Sequence, residues 1–163
     1  MFTAIPYLMF GFAPVDAFFE SMSGLTTTGA TILNNFNQTQ SFFLWRSMSQ
    51  WFGGLGVIAL FVVILPQLGV AGRQIMFAES SDATTDVVSP SVRKSARNLW
   101  LLYVLLTGLE ILLLIFVGNM EIFDSICHGL TTMSAGGFSP NPHSIAGYAS
   151  PTIEWILISF MII

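Results

Sequence analysis

Two short runs of small residues hold the groups best suited to chemistry in this chain: Thr26-Thr27-Thr28-Gly29 and Ser134-Ala135-Gly136-Gly137. Neither run contains a carboxylate, an imidazole or a thiol. What they offer is backbone carbonyl oxygen. A cation that sheds its water needs hard oxygen ligands in exchange, and rings of carbonyls supply them. Such a turn must aim its oxygens inward and carry little side-chain bulk. Thr-Thr-Thr-Gly and Ala-Gly-Gly meet that demand, and Gly29 permits the positive φ that turns the backbone.

Other candidates fall away on inspection. Gly53-Gly54-Leu55-Gly56 lacks the Lys-Ser/Thr of a phosphate loop and sits in an apolar run. His128 and His143 have no companion ligands at metal spacing. Ser139 lies near His143, but no Gly-x-Ser-x-Gly elbow is present, which speaks against an intramembrane hydrolase. The single cysteine, Cys127, excludes an internal disulfide and reads as packing.

The elements that position the turns belong in a bilayer. The chain has 163 residues, 53% hydrophobic and 9% charged, with mean hydropathy +0.73. Soluble domains carry about 25% charged residues. There is no basic face for nucleic acid at a net charge of -4. Asp16 to about Leu25 predicts a short helix with Asp16 as N-cap. Its length of about 15 Å cannot cross a core about 30 Å thick. A segment that enters and turns back must end in non-helical backbone, which lipid tolerates only when it is buried in protein or lines a wet path. A re-entrant pore helix followed by a carbonyl-lined filter satisfies both conditions. The C-terminal end of that helix carries about half a negative charge, which favours a cation in front of it.

Phe42 to Leu65 predicts a transmembrane helix stopped by Pro66. Arg46 lies one turn inside it, to snorkel or to pair with an acid. Gly53, Gly54 and Gly56 allow a close approach by another helix or by the filter backbone. Leu68 to Asn98 holds Arg73, Arg93, Lys94 and Arg97, four of the five basic residues, so this loop is expected to be cytoplasmic. Leu99 to Val117 is the next span, with Glu110 inside it facing the protein interior and a partner. Asp124 to Met133 predicts a second short helix, and Ile153 to Ile163 the start of another span. Both ends fall in apolar runs, so the chain is read as part of a longer polytopic protein.

Shifting the chain by 108 positions lays Asp16 on Asp124 and Gly29 on Gly137 without a gap. Met22 then falls on Leu130, Ser23 on Thr131, Leu25 on Met133 and Ala30 on Phe138. Span, short helix, small-residue turn and span recur in parallel orientation. The expected fold is therefore an all-α membrane protein built of potassium-channel-like repeats. The first occupies 1–66 and the second 99–163, with the cytoplasmic loop 67–98 between them and both turns on the outer side. Two turns make half a ring, so further copies are implied.

DAFFESMSGLTTTGAT, LWRSMSQWFGGLGVIALFVVILP, LTTMSAGGFS, SIAGY and SPTIEW together resemble the TrkH family, within the Trk/Ktr/HKT superfamily of potassium uptake proteins. The resemblance covers essentially the whole chain. It implies four helix–pore-loop–helix repeats around one pore in a bacterial inner membrane. By position, Gly29 and Gly137 become the filter glycines of the first two repeats. Thr27, Thr28, Ala135 and Gly136 become carbonyl donors to potassium. The family further implies a homodimer and a cytoplasmic nucleotide-binding regulatory subunit of the TrkA type. It implies no cofactor, no enzyme activity and no metal other than the transported potassium. One departure is Cys127-His128, where the first repeat has Phe19-Glu20, at the packing behind the second turn. Retention of both glycines points to potassium over sodium. A coupled transporter with discontinuous helices is the main rival, but it predicts inverted repeats.

Overall fold

The computed structural model describes residues 2–76 and 90–162, with side chains described over 2–60 and 96–162. Their regular structure is helical, with no β-strand among them. The order is α1 (Ile5–Met9), α2 (Pro14–Leu25), α3 (Gln40–Met76), α4 (Pro90–Phe116), α5 (Ile122–Met133) and α6 (Pro151–Ile162). A 3₁₀ turn, Phe2–Ala4, precedes α1, and another, Ser144–Tyr148, precedes α6.

The two short helices are 12 residues each, about 18 Å long, and neither can cross a bilayer. Asp16 is not the N-cap. Ala13 takes that position and Pro14 opens the helix, because proline's fixed φ and missing N–H suit the first helical residue. Asp16 lies in the first turn, where its charge complements the helix N-terminus. Asp124 has the equivalent place in α5, behind an N-cap at Glu121.

Pro66 does not end the long helix, contrary to the sequence expectation: α3 runs on to Met76. Proline removes only one backbone donor, and the helix continues through it. The expected loop 67–98 is accordingly helical over 67–76 and 90–98, and its remainder, 77–89, lies outside the described residues. Among the described residues one helix, over Ala96–Phe116, is long and apolar enough to cross a membrane. It contains the expected span from Leu99.

Two apolar clusters hold the described helices together. Tyr7, Ala17, Leu33, Phe42 and Phe43 join α1, α2 and α3, with Cys127 of α5 packed among them as a buried free thiol. Leu114, Met120, Ile153 and Leu157 join α4, the turn that follows it and α6. The first cluster includes Phe42 and Phe43 of α3, which also packs on α4 and α5. The glycines of α3 receive the ends of both short helices. A Cβ on Gly53 would lie 2.3 Å from the Leu25 carbonyl oxygen, and one on Gly54 would lie 3.1 Å from Cβ of Ser134. Gly53→Ala is therefore expected to lower stability by about 1–3 kcal/mol, the usual cost of overpacking. A thermal melt of the full-length protein in detergent that equals wild type would contradict this. A polar seam ties α3 to α4: Trp51 donates to Thr107 (3.1 Å), and the Tyr103 hydroxyl donates to the Trp51 carbonyl (3.3 Å).

Candidate cation site

The two short helices end identically. After α2, the N–H of Thr27 bonds the Gly24 carbonyl and that of Thr28 bonds the Ser23 carbonyl, both at 3.0 Å. After α5, Ala135 bonds Thr132 and Gly136 bonds Thr131, both at 2.8 Å. This is the Schellman stop, whose left-handed residue is ordinarily glycine. Here Thr27 and Ala135 occupy it, each with φ 53°. Holding residues with a Cβ there costs about 1–3 kcal/mol each, tolerable only where surrounding structure enforces it.

Handedness then alternates. Thr26 and Ser134 have φ of -86° and -88°. Thr28 and Gly136 are not in the positive-φ region, while Gly29 and Gly137 return to it at 74° and 82°. Residues of alternating hand turn successive peptide oxygens toward the same side of a strand. The caps share side-chain chemistry too: Thr26 Oγ1 donates to the Met22 carbonyl (2.8 Å) and Ser134 Oγ to the Leu130 carbonyl (3.1 Å). Every one of these correspondences falls at the offset of 108.

The turns meet. A Cβ on Gly29 would lie 2.0 Å from the carbonyl oxygen of Gly136 and 3.7 Å from Cα of Gly137. The structure thus brings Gly29, Gly136 and Gly137 together, and Thr27, Thr28 and Ala135 flank that contact along the two strands.

One face of α3 stands behind both strands. Arg46 is buried and pairs with buried Glu20 of α2 at 3.5 Å, so it does not snorkel. Arg46 Nη2 also donates to Thr31 Oγ1 (3.0 Å). Glu20 Oε1 accepts from the Thr31 hydroxyl and from the N–H of Ile32 (3.1 Å). The Arg46 guanidinium lies 3.9 Å from the ring centre of Phe138, in the second strand. One turn on, Gln50 accepts the N–H of Phe138 (3.1 Å), and its amide fills the space beside Gly136. Gln50 forms no motif of its own in the sequence. Its signal is its place four residues after Arg46, on the same helix face.

In the second repeat Ser139 stands against His128, 3.4 Å away, and not against His143. The His128 ring meets Tyr148 edge-on at 5.4 Å. The Tyr148 hydroxyl donates to Asp124 at 2.6 Å. Burial first, then the Asp124 carboxylate, push the Tyr148 phenol upward from its usual range, so it stays a donor. Glu110 faces the interior, as expected, yet neither of its oxygens has a hydrogen-bond partner among the described residues.

Residues 5–163 match the family model described as TrkH, cation transport protein. The chain belongs to the TrkH family. It is 47% identical over 150 residues to the Trk system potassium uptake protein TrkH of Escherichia coli K12, covering 91% of this chain and 31% of that protein. It is 36% identical to TrkH of Halomonas elongata over its whole length, 35% of the relative. The chain thus spans about a third of the length of the curated relatives it matches. The crystal structure of the potassium transporter TrkH from Vibrio parahaemolyticus superposes with a TM-score of 0.74 at 34% identity, over 91% of this chain and 29% of that one. The TrkH fold is an all-helical membrane fold with re-entrant pore helices, the class expected from the sequence.

Proposed function

We propose that this segment supplies two sides of a potassium path through a bacterial inner membrane, within a larger four-repeat subunit. The ligands are the carbonyls of Thr27, Thr28, Gly29, Ala135, Gly136 and Gly137. One observation carries the reading: two turns of identical alternating backbone touch at Gly29 and Gly136. Two helix C-termini end at those turns and add negative potential where a cation would sit. The path needs no covalent chemistry, and no cofactor enters it.

In this reading 1–66 and 99–163 are successive pore repeats, their turns face outward, and loop 67–98 faces the cytoplasm. The complete subunit pairs with a second copy and takes a TrkA-type nucleotide-binding regulator on its cytoplasmic side. The full-length protein in proteoliposomes is expected to take up potassium, or rubidium in its place, in strong preference to sodium. Equal uptake of sodium would count against a carbonyl filter of this kind.

A further inference from the structure

A hydroxyl stands two residues beyond each turn glycine: Thr31 after Gly29 and Ser139 after Gly137. Each accepts the backbone N–H two residues further on, from Leu33 and from Asn141, at 3.0 Å in both cases. Each also meets a buried side chain of its own short helix. In the first repeat that side chain is Glu20, to which Thr31 donates. In the second it is His128, whose Nε2 is 3.4 Å from Ser139 Oγ. The offset of 108 lays Glu20 on His128, Thr31 on Ser139 and Leu33 on Asn141. Three unlike pairs of residues therefore make one arrangement twice.

We propose that His128 is the positioning residue of the second turn, acting through Ser139 as Glu20 acts through Thr31 in the first. The proposal rests on the filter reading above. A hydroxyl has one donor and two acceptor sites. Thr31 uses all three, on Glu20, Leu33 and Arg46. Ser139 uses one acceptor site on Asn141 and keeps its donor and its other acceptor site, either of which can serve the imidazole. Each hydroxyl thereby pins the strand leaving the turn to the helix entering it, and fixes where the carbonyls between them point.

The serine–histidine contact could be mistaken for a nucleophile and its base. Two observations explain it otherwise. The equivalent pair in the first repeat is threonine–glutamate. Asp124, the carboxylate that could orient the imidazole, is committed to Tyr148. Tyr148 in turn holds the His128 ring edge-on. The two struts differ in kind: the first is an ion-paired carboxylate backed by Arg46, and the second is an imidazole backed by an aromatic ring.

The test uses the full-length protein in proteoliposomes and reads the potassium-to-sodium uptake ratio beside the melting temperature. Ser139→Ala and His128→Leu are each expected to lower the ratio about two- to tenfold, the effect of losing one hydrogen bond. The double variant is expected to be no worse than the worse single one. Ser139→Thr, which installs the hydroxyl of the first repeat, and His128→Gln, which keeps a polar end, should each recover most of that loss. Losses that multiply in the double variant would overturn the proposal, as would lowered melting with an unchanged ratio. Gly137→Ser in the same assay separates the two readings. If it moves the ratio and the strut variants do not, the strut fails alone. If it too leaves the ratio unchanged, the filter reading falls with it.

Discussion

Full-length protein carrying Gly29→Ser is expected to lose about tenfold in potassium-over-sodium preference, equivalent to about 1.4 kcal/mol. Two independent costs produce this. Gly29 sits at φ 74°, where any side chain is strained. Its Cβ would also fall 2.0 Å from the Gly136 carbonyl oxygen, so one strand must withdraw from the other. Carbonyls spread in this way fit a dehydrated ion poorly, and the preference set by their spacing is lost. Gly137→Ser is the companion variant. It shares the strained φ of 82°, but its Cβ would meet nothing within 4 Å among the described residues. It should therefore assemble normally and lose preference through backbone strain alone. Paired uptake of potassium and sodium checks both variants. Unchanged preference in Gly29→Ser protein that reaches the membrane would rule out the assignment of that turn.

Arg46→Ala is expected to prevent assembly more than to alter selectivity. Arg46 and Glu20 are both fully enclosed and face each other at 3.5 Å. Removing one partner of a buried ion pair strands the other and costs about 3–5 kcal/mol. That is a large share of the roughly 5–15 kcal/mol by which ordinary folded domains are stable. The arginine also fills the space over Phe138, so truncation loosens the second strand as well. Glu20→Gln on top of Arg46→Ala removes the stranded charge and should recover part of the folded yield. Size-exclusion profiles of the three proteins in detergent decide the matter. An Arg46→Ala protein that assembles fully and conducts both ions alike would contradict this account.

Much of this was legible in the sequence because length and small size are local properties. Two helices too short to span, each followed by residues with little bulk, are visible in the residue order as Asp16–Leu25 and Asp124–Met133, and the structure lengthens each to 12 residues. The repeat was legible because Asp16 and Asp124, and Gly29 and Gly137, keep one spacing. The helix starts were misplaced by two residues, since Pro14 suits a first turn better than Asp16 suits a cap. Pro66 misled because proline raises the cost of a helix without forbidding one. The partners of Arg46 and Gln50 lie across the fold, in other elements, and helix periodicity does not name them. The His128 strut was hidden for a different reason. The residue types differ from those of the first repeat, and only a shared geometry reveals a shared duty.

The placement of α3 bears on how such repeats can be exchanged. Arg46, Gln50, Gly53 and Gly54 recur at helical spacing along one face, and they serve the turns of both repeats. The scaffolding of the second turn is thus encoded in α3, more than eighty residues upstream of Phe138. A chimera that transplants 99–163 alone would bring a foreign strand to the Gln50 amide and the Arg46 guanidinium. The heritable module holds both turns together with α3. Drift at Gln50 is accordingly bound to drift at Gly136, and drift at Arg46 to drift at Phe138, however far apart they lie in the gene.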